Sequence, residues 1–306
     1  MSAAPAYDWD RVFARLREGL TVSAIVVSYR TGPALFDCLR ALLADPDVHE
    51  IVVVDNGNPF RTTQKLEEIW RKTDKMKIVG EGVNRGFAAG VNLGAEHARG
   101  DRLLIINPDA VLRRGSVAAL EMAHATGAEP VVVGGRIFGE DGVEQRGARR
   151  RRLTLGRALT TYLPLGKIPA LSRFSGINRN LEPLPKGPTP MDAVSGALMY
   201  LSRHGFDRLR GFDETYFLHV EDLDICRRAE LEGGSVVFTP HAGAYHFGAT
   251  SDAPAVEVER HKGAGMRRYF TKFASTPQER LAAQVLGPII SGALVMRAKW
   301  RKREAD

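Results

Sequence analysis

The chain has 306 residues and an apolar share of 44%, room for one large α/β domain with an appendage and the composition of a soluble globular protein. Its two cysteines, Cys38 and Cys226, both fall in stretches with amphipathic helical spacing, which leaves no basis for a disulfide framework or a zinc site and fits a reducing compartment. The net charge of +7 is unevenly placed: residues 257–303 carry eleven Lys/Arg against three acids, the last three residues add −2, and residues 1–256 therefore sum to +1. That placement argues against a nucleic-acid-coated surface and for one local anionic partner.

Residues 1–20 read as a helical lead-in. Asp8, Asp10 and Glu18 interrupt its apolar residues, so no secretory signal is expected and the protein should stay in the cytoplasm. Short β-branched runs then alternate with helical patterns, the sequence form of a doubly wound, mainly parallel sheet. The runs are Val22–Ser28, Ile51–Val54, Met76–Val79, Arg102–Ile106 and Pro130–Ile137. Between them Leu35, Leu39 and Leu42, then Leu66, Ile69 and Trp70, then Val117, Leu120 and Ala123 fall at helical spacing. Such sheets bind ligands beyond the C-terminal ends of their strands, so the residues after each run are the ones to inspect.

The first strand ends in Val27-Ser28-Tyr29 and the second in Val53-Val54-Asp55-Asn56-Gly57. Ends of this kind can hold a base or ribose, with Asp55 accepting from an imide N–H or a hydroxyl, although Asp-Asn-Gly is also a common turn. Gly82 to Gly94, with Asn84, Arg85 and Gly86, is a Gly/Asn-rich turn opening a helix. It is either a phosphate-proximal loop or a tight helix entry. Asn107-Pro108-Asp109 follows the fourth strand and offers a carboxylate to a hard cation held against a diphosphate, or else forms a plain turn.

From Arg146 to Pro190 the pattern breaks down into an Arg149–Arg152 run and scattered prolines, an irregular insertion. Order resumes with an apolar segment, Ala193–Leu201, a Gly-Phe-Asp turn at 211–213 and an acidic helix start at Glu221, Asp222 and Asp224. Acids in a first helical turn are favoured by the dipole alone. Phe217 and Leu218 just ahead place these against apolar surface, where a carboxylate needs a partner or a task, and moving an anomeric carbon to a hydroxyl needs one carboxylate base. A last strand, Ser235–Phe238, precedes His246, and the rest reads as helical. Residues 281–296 are uncharged but span only sixteen positions, short of the roughly 20 needed to cross a bilayer.

In order along the chain, Val27-Ser28-Tyr29, Val53-Val54-Asp55-Asn56-Gly57, Asn84-x-Gly86-Phe87-Ala88, Asn107-Pro108-Asp109, Val194-Ser195-Gly196-Ala197, Gly211-Phe212-Asp213-Glu214-x-x-Phe217, Glu221-Asp222-x-Asp224-x-Cys226-x-Arg228 and a late His246 resemble the inverting GT-A glycosyltransferases of the GT2 type. The bacterial rhamnosyltransferase-like branch matches best. The resemblance covers about Val22 to Ser251 and implies a GT-A catalytic domain over 21–255, with a nucleotide-binding half at 21–110 and an acceptor half at 111–255, followed by a basic helical tail at 256–306.

Carried over residue by residue, the resemblance implies that Ser28, Tyr29, Asp55, Asn84, Arg85, Gly86, Asn107 and Asp109 line the donor nucleotide sugar. It puts Asp109 and His246 on Mg²⁺ or Mn²⁺, Ser195 and Gly196 on the acceptor side, and Asp222, supported by Glu221, in the place of the catalytic base. Two departures stand out: the second aspartate usual in the family's D-x-D motif is Asn107 here, and Arg85 stands where this branch often has an apolar residue. Arg85 either touches a phosphate or faces solvent. The implied reaction moves a sugar, L-rhamnose from dTDP-rhamnose as first choice, onto a lipid-linked or polysaccharide acceptor in cell-envelope glycan synthesis. A UDP-hexose donor and a non-catalytic sugar-nucleotide-binding relative are the alternatives. The tail is expected to lie on the anionic inner face of the cell membrane, or else to pack on the catalytic domain or on a second subunit in a homodimer.

Overall fold

Successive residues of the first strands enter opposite apolar clusters. In β1 (Val22–Ser28) Val22, Ala24 and Val26 enter one cluster while Ile25 and Val27 enter the other. The alternation repeats in β2 (Glu50–Asp55), flanked by β3 (Met76–Val79), and in β4 (Arg102–Ile106), so both sheet faces are covered. One cover is made by α1 (Ala34–Ala44), α2 (Phe60–Trp70) and α4 (Ser116–His124), through Leu35, Leu39 and Leu42, Leu66, and Val117 and Leu120. On the other face α3 (Phe87–His97) contributes Ala88, Val91 and Ala95. This computed structural model describes residues 19–139, 141–163, 176–248 and 254–305, with 301–305 by backbone alone. Most of the expected lead-in at 1–20, residues 164–175 of the insertion and the side chains of Arg301, Lys302 and Arg303 lie outside the described residues.

The second half adds β5 (Ala110–Leu112), β6 (Val131–Phe138), β7 (Arg149–Arg150), α5 (Leu155–Tyr162), β8 (Thr189–Pro190), β9 (Ala193–Val194) and β10 (Leu198–Ser202). After them come α6 (Arg203–Arg208), α7 (Glu221–Leu231), β11 (Ser235–His246), α8 (Ala255–Lys272) and α9 (Pro277–Ala305). The nine-stranded sheet runs β3-β2-β1-β4-β10-β6-β11-β5, with β8 on β11. Strands β3, β2, β1 and β4 are mutually parallel, as are β6 and β11, while β10 runs antiparallel between the two groups. The C-terminal ends of β1, β2, β4, β6 and β11 and the start of β10 therefore meet along one edge of the sheet.

Two elements differ from the sequence expectation, and one apolar segment resolves into strands. The apolar segment Ala193–Leu201 is two strands around a turn, because Ser195 accepts from the Ala197 N–H and Leu198 turns back to the Ser195 carbonyl. The last strand does not stop at Phe238 but runs to His246 through a register shift between Phe238 and Gly243. Part of the irregular insertion is ordered: β7 pairs antiparallel with β9, and each of its arginines and the two that follow meets an acid.

The tail is a helical hairpin fastened to the sheet-bearing part of the chain. On α8, Gly265 lies so close to the His219 carbonyl and Val220 that a Cβ there would sit 3.0 Å from the former, and the His261 ring stacks on Phe217 at 4.5 Å. Lys272 Nζ bridges Asp213 (2.8 Å) and Asp224 (2.6 Å). Helix α9 packs on α8 and α5 with Ala283, Ile290, Leu294 and Ala298 buried, and at 100° per residue the opposite arc of about 100° carries Leu281, Val285, Ile289, Met296 and Trp300. Those five are exposed. The apolar stretch is longer than the sixteen positions counted from sequence: Pro277–Trp300, 24 residues with mean hydropathy 1.5, is long and apolar enough to cross a membrane by length and composition.

Candidate active site

At the ends of β1 and β2, Asp55 folds its own turn. Its Oδ1 accepts from the backbone N–H of Gly57 (3.1 Å) and Asn58 (2.9 Å) and from Asn58 Nδ2 (3.0 Å), and its Oδ2 from Thr63 Oγ1 (3.0 Å). A carboxylate has about four lone-pair sites, so Oδ2 retains the capacity for one further donor. Ser28 is tied inward, donating to Asn58 Oδ1 at 2.9 Å, and Tyr29 lies against Gly57. Next door Asn56 and Asn84 tie down the glycine loop: Asn56 Nδ2 donates to Asn84 Oδ1 and the Gly86 carbonyl, and Asn56 Oδ1 accepts from the Arg85 N–H. The Arg85 side chain is exposed and pairs with Glu81 at 3.0 Å on the surface.

Gly86 has φ 88°, a backbone region that favours glycine, and a Cβ there would lie 2.5 Å from the Phe217 carbonyl. The loop at 82–86 is thereby pressed against the segment that leads into α7. Within that segment His219 (φ 68°) and Val220 (φ 77°) are both left-handed, an outlying conformation for a β-branched residue, and the cover from Gly265 on α8 holds them there.

At the ends of β4 and β11, His246 Nε2 lies 3.1 Å from Asp109 Oδ1 and 3.1 Å from Asn107 Nδ2. Gln145 fixes the ring. Its Nε2 donates to the His246 carbonyl (2.7 Å), so its Oε1 faces His246 Nδ1 (2.9 Å) and that nitrogen carries the proton. Nε2 then keeps its lone pair, which accepts from Asn107 Nδ2 and lies beside the Asp109 carboxylate.

On α7, Asp222 is largely buried and paired with Arg150: Nη2 to Oδ2 is 2.5 Å and Nη1 to Oδ1 is 3.3 Å. The Gly196 N–H donates to Oδ2 (3.1 Å) and the Leu223 N–H to Oδ1 (2.8 Å). Burial raises the Asp222 carboxyl, but the charge and hydrogen bonds of Arg150 and the Gly196 N–H outweigh it and hold the group below its ordinary range. Glu221 goes the other way, raised by burial and then by the Asp222 charge, and its Oε2 is buried without a hydrogen bond.

The Asn107 N–H donates to the Ala197 carbonyl (3.1 Å), so the His246 group and the Asp222 group border one another across the β4–β10 pair. The Asp55 turn, a carboxylate–imidazole pair and a buried, arginine-paired acid thus lie along one sheet edge. The sequence profile described as Glycosyl transferase family 2 matches residues 23–193, more than half of the chain. The chain belongs to glycosyl transferase family 2.

As a family 2 member it is a glycosyltransferase of the rhamnosyltransferase-like branch with a GT-A fold. It is 27% identical to the N-acetylglucosaminyl-diphospho-decaprenol L-rhamnosyltransferase of Mycobacterium tuberculosis over 78% of this chain and 80% of that one. Against the low-salt glycan biosynthesis hexosyltransferase Agl10 of Haloferax volcanii it is 23% identical over 92% and 86%. Among solved structures, the mannosyltransferase PcManGT of Pyrobaculum calidifontis, in complex with GDP-Man and Mn²⁺, superposes with a TM-score of 0.57 at 16% identity, covering 95% of this chain and 79% of that one.

This glycosyltransferase gathers every singled-out residue except the Arg85 side chain toward one sheet edge. Sequence reasoning missed Arg150, Gln145, Asn58 and Thr63. The arginine run that hides Arg150 reads as part of an irregular insertion, yet a buried acidic turn requires a countercharge from somewhere, and that requirement was the available signal. Nothing in the sequence marks Gln145.

Proposed function

We propose that this glycosyltransferase transfers L-rhamnose from dTDP-rhamnose to a lipid-linked or polysaccharide acceptor with inversion at the anomeric carbon. The single observation that carries the reading is the adjacency of the Asp109–His246 pair and the Asp222–Gly196 pair along the ends of β4 and β10. The rhamnose assignment draws on the relatives named rhamnosyltransferase. In the reaction, the acceptor hydroxyl gives its proton to Asp222 as its oxygen forms a bond to C1 of the sugar. The bond between C1 and the diphosphate oxygen breaks with its electron pair leaving on the diphosphate. Asp55 accepts from the base through Oδ2, the loop at 84–86 borders the nucleotide, and Ser195 and Gly196 shape the acceptor side.

The residues at His246 fit a divalent cation. Cis ligands of an octahedral ion with bonds of about 2.1 Å sit about 3.0 Å apart, and His246 Nε2 and Asp109 Oδ1 are 3.1 Å apart. The Nδ1 proton held by Gln145 is the outer bond that a metal-binding histidine needs. Mg²⁺ or Mn²⁺ held by Asp109 and His246 would neutralise the leaving diphosphate. Asn107 shapes the turn, and its Nδ2–H would have to leave Nε2 for an ion to bind there.

The exposed apolar arc of α9, together with Arg297, Lys299 and the basic residues after them, supports docking on an anionic membrane surface on the cytoplasmic side. With its other face covered by α8, the helix would lie in the interface. The experiment that tests the function is a thermal-shift screen with dTDP, UDP and GDP followed by product analysis with the preferred sugar donor. Stabilisation by dTDP and a rhamnosylated product are expected; selective stabilisation by UDP or GDP overturns the donor assignment.

A further inference from the structure

We propose that Arg150 is a positioning residue of the transfer reaction, holding the Asp222 carboxylate ionised and turned so that Oδ1 is the oxygen that meets the acceptor hydroxyl. The inference rests on the reading of Asp222 as the base. All four lone-pair positions of the carboxylate are occupied, by Arg150 Nη1 and the Leu223 N–H on Oδ1 and by Arg150 Nη2 and the Gly196 N–H on Oδ2. The incoming hydroxyl must replace one of them. At 3.3 Å, the contact from Nη1 to Oδ1 is the longest of the four and the easiest to yield.

Arg150 itself is held in place. Arg149 is buried on Glu144 and on the carbonyls of Glu182 and Pro183, Arg151 pairs with Glu182 and Arg152 with Glu230, and β7 is hydrogen-bonded to β9. Arg150 Nη2 also donates to the Val194 carbonyl at 2.5 Å. A guanidinium anchored in this way sets a direction for its partner and cannot follow the substrate.

The charge balance explains why the turn needs it. Asp222 shares its turn with Glu221 and Asp224, and His219 stands in the turn before. The charge of Asp224 is met by Arg228 and Lys272, while among the described residues Glu221 forms no ion pair and shares the charge of Arg150 with Asp222. Of the groups facing Asp222, Arg150 is therefore the strong cation. Without it, burial and the neighbouring acids would favour the protonated carboxyl, which cannot accept a proton from the acceptor.

The full chain labelled with ¹³Cγ-aspartate provides a readout apart from turnover, the Asp222 resonance being the one lost in Asp222→Asn. With Arg150→Met its titration midpoint should move to at least tenfold lower proton concentration, the direction expected when an adjacent opposite charge is removed. In the same variant kcat should fall further as the pH is lowered toward the moved midpoint than it does at pH 9, with the donor KM unchanged. Arg150→Lys keeps the charge and loses the fork; its midpoint should stay near that of the wild type while kcat drops. A folded Arg150→Met chain with an unmoved midpoint overturns the proposal, as does an Arg150→Lys enzyme identical to wild type. Near wild-type turnover in Asp222→Asn would remove the base reading alone and leave the resonance test of Arg150 in force.

Discussion

The backbone N–H of Phe87 donates to the carbonyl of Phe217 at 2.9 Å, joining the first turn of α3 to the segment that carries the acidic helix start. Gly86 makes that bond reachable, since any side chain there would collide with the same carbonyl. Gly86→Ala should therefore push the two segments apart, raising the donor KM and lowering kcat together, each by about tenfold, and lowering Tm. Steady-state kinetics with a melting curve check it. A change in Tm with both constants intact would mean that the contact serves folding alone.

For the base, Asp222→Asn preserves size and removes the proton-accepting charge. Turnover should fall by roughly 10²–10⁴-fold with donor affinity nearly unchanged, the usual worth of a positioned base. Glu221→Gln should cost less, because burial and the Asp222 charge already favour the protonated form of Glu221. Donor titration and single-turnover rates on both variants check the assignment; equal losses would put Glu221 in the reacting position too.

For the metal site, Asp109→Ala should abolish metal-dependent donor binding, and Asn107→Ala should retain much of it. Gln145→Ala releases the Nδ1 proton of His246 and should weaken Mn²⁺ binding by about 10–100-fold, the usual effect of losing an outer partner. Calorimetry with Mn²⁺ and dTDP measures all three. Full activity in EDTA would show that side chains alone carry the diphosphate charge.

For the tail, Val285→Glu with Ile289→Glu places two charges on the exposed arc of α9 without touching the face packed on α8. Flotation with vesicles of phosphatidylcholine and phosphatidylglycerol should drop at least tenfold relative to the wild-type chain, while solution turnover on a soluble acceptor stays within twofold. Vesicle binding equal to wild type would sink the membrane role and turn attention to a second copy of the chain as the cover for this arc.

The parallel half of the fold was legible because its strands are β-branched, buried on both faces and closed by helices of clear period; β1, β3 and β4 have the boundaries that the residues alone suggest. The end of β11 was not, since Thr239-Pro240-His241 breaks the pattern that Ser235–Phe238 sets and only pairing with β6 carries the strand onward. At the site, the acids were legible as types in a pattern and their partners were not. Asp55 reads as a ligand acceptor, yet three hydrogen bonds inside its own turn and a fourth from Thr63 on α2 take most of its capacity, and Arg150 reaches Asp222 across 72 positions of chain.

The bend in β11 also sets which changes of length the chain can absorb. From Phe238 to Gly243 that strand advances five residues (243 − 238) while β6 advances two, from Gly134 to Arg136. His246 reaches Asp109 only with that surplus in place. Deleting a single residue from 239–242 would shift the register that follows and exchange the two faces of the strand, turning the imidazole away from the sheet edge. Descendants of this gene are therefore held to one length across those four positions, which carry no reactive group at the edge and fix the place of one that does.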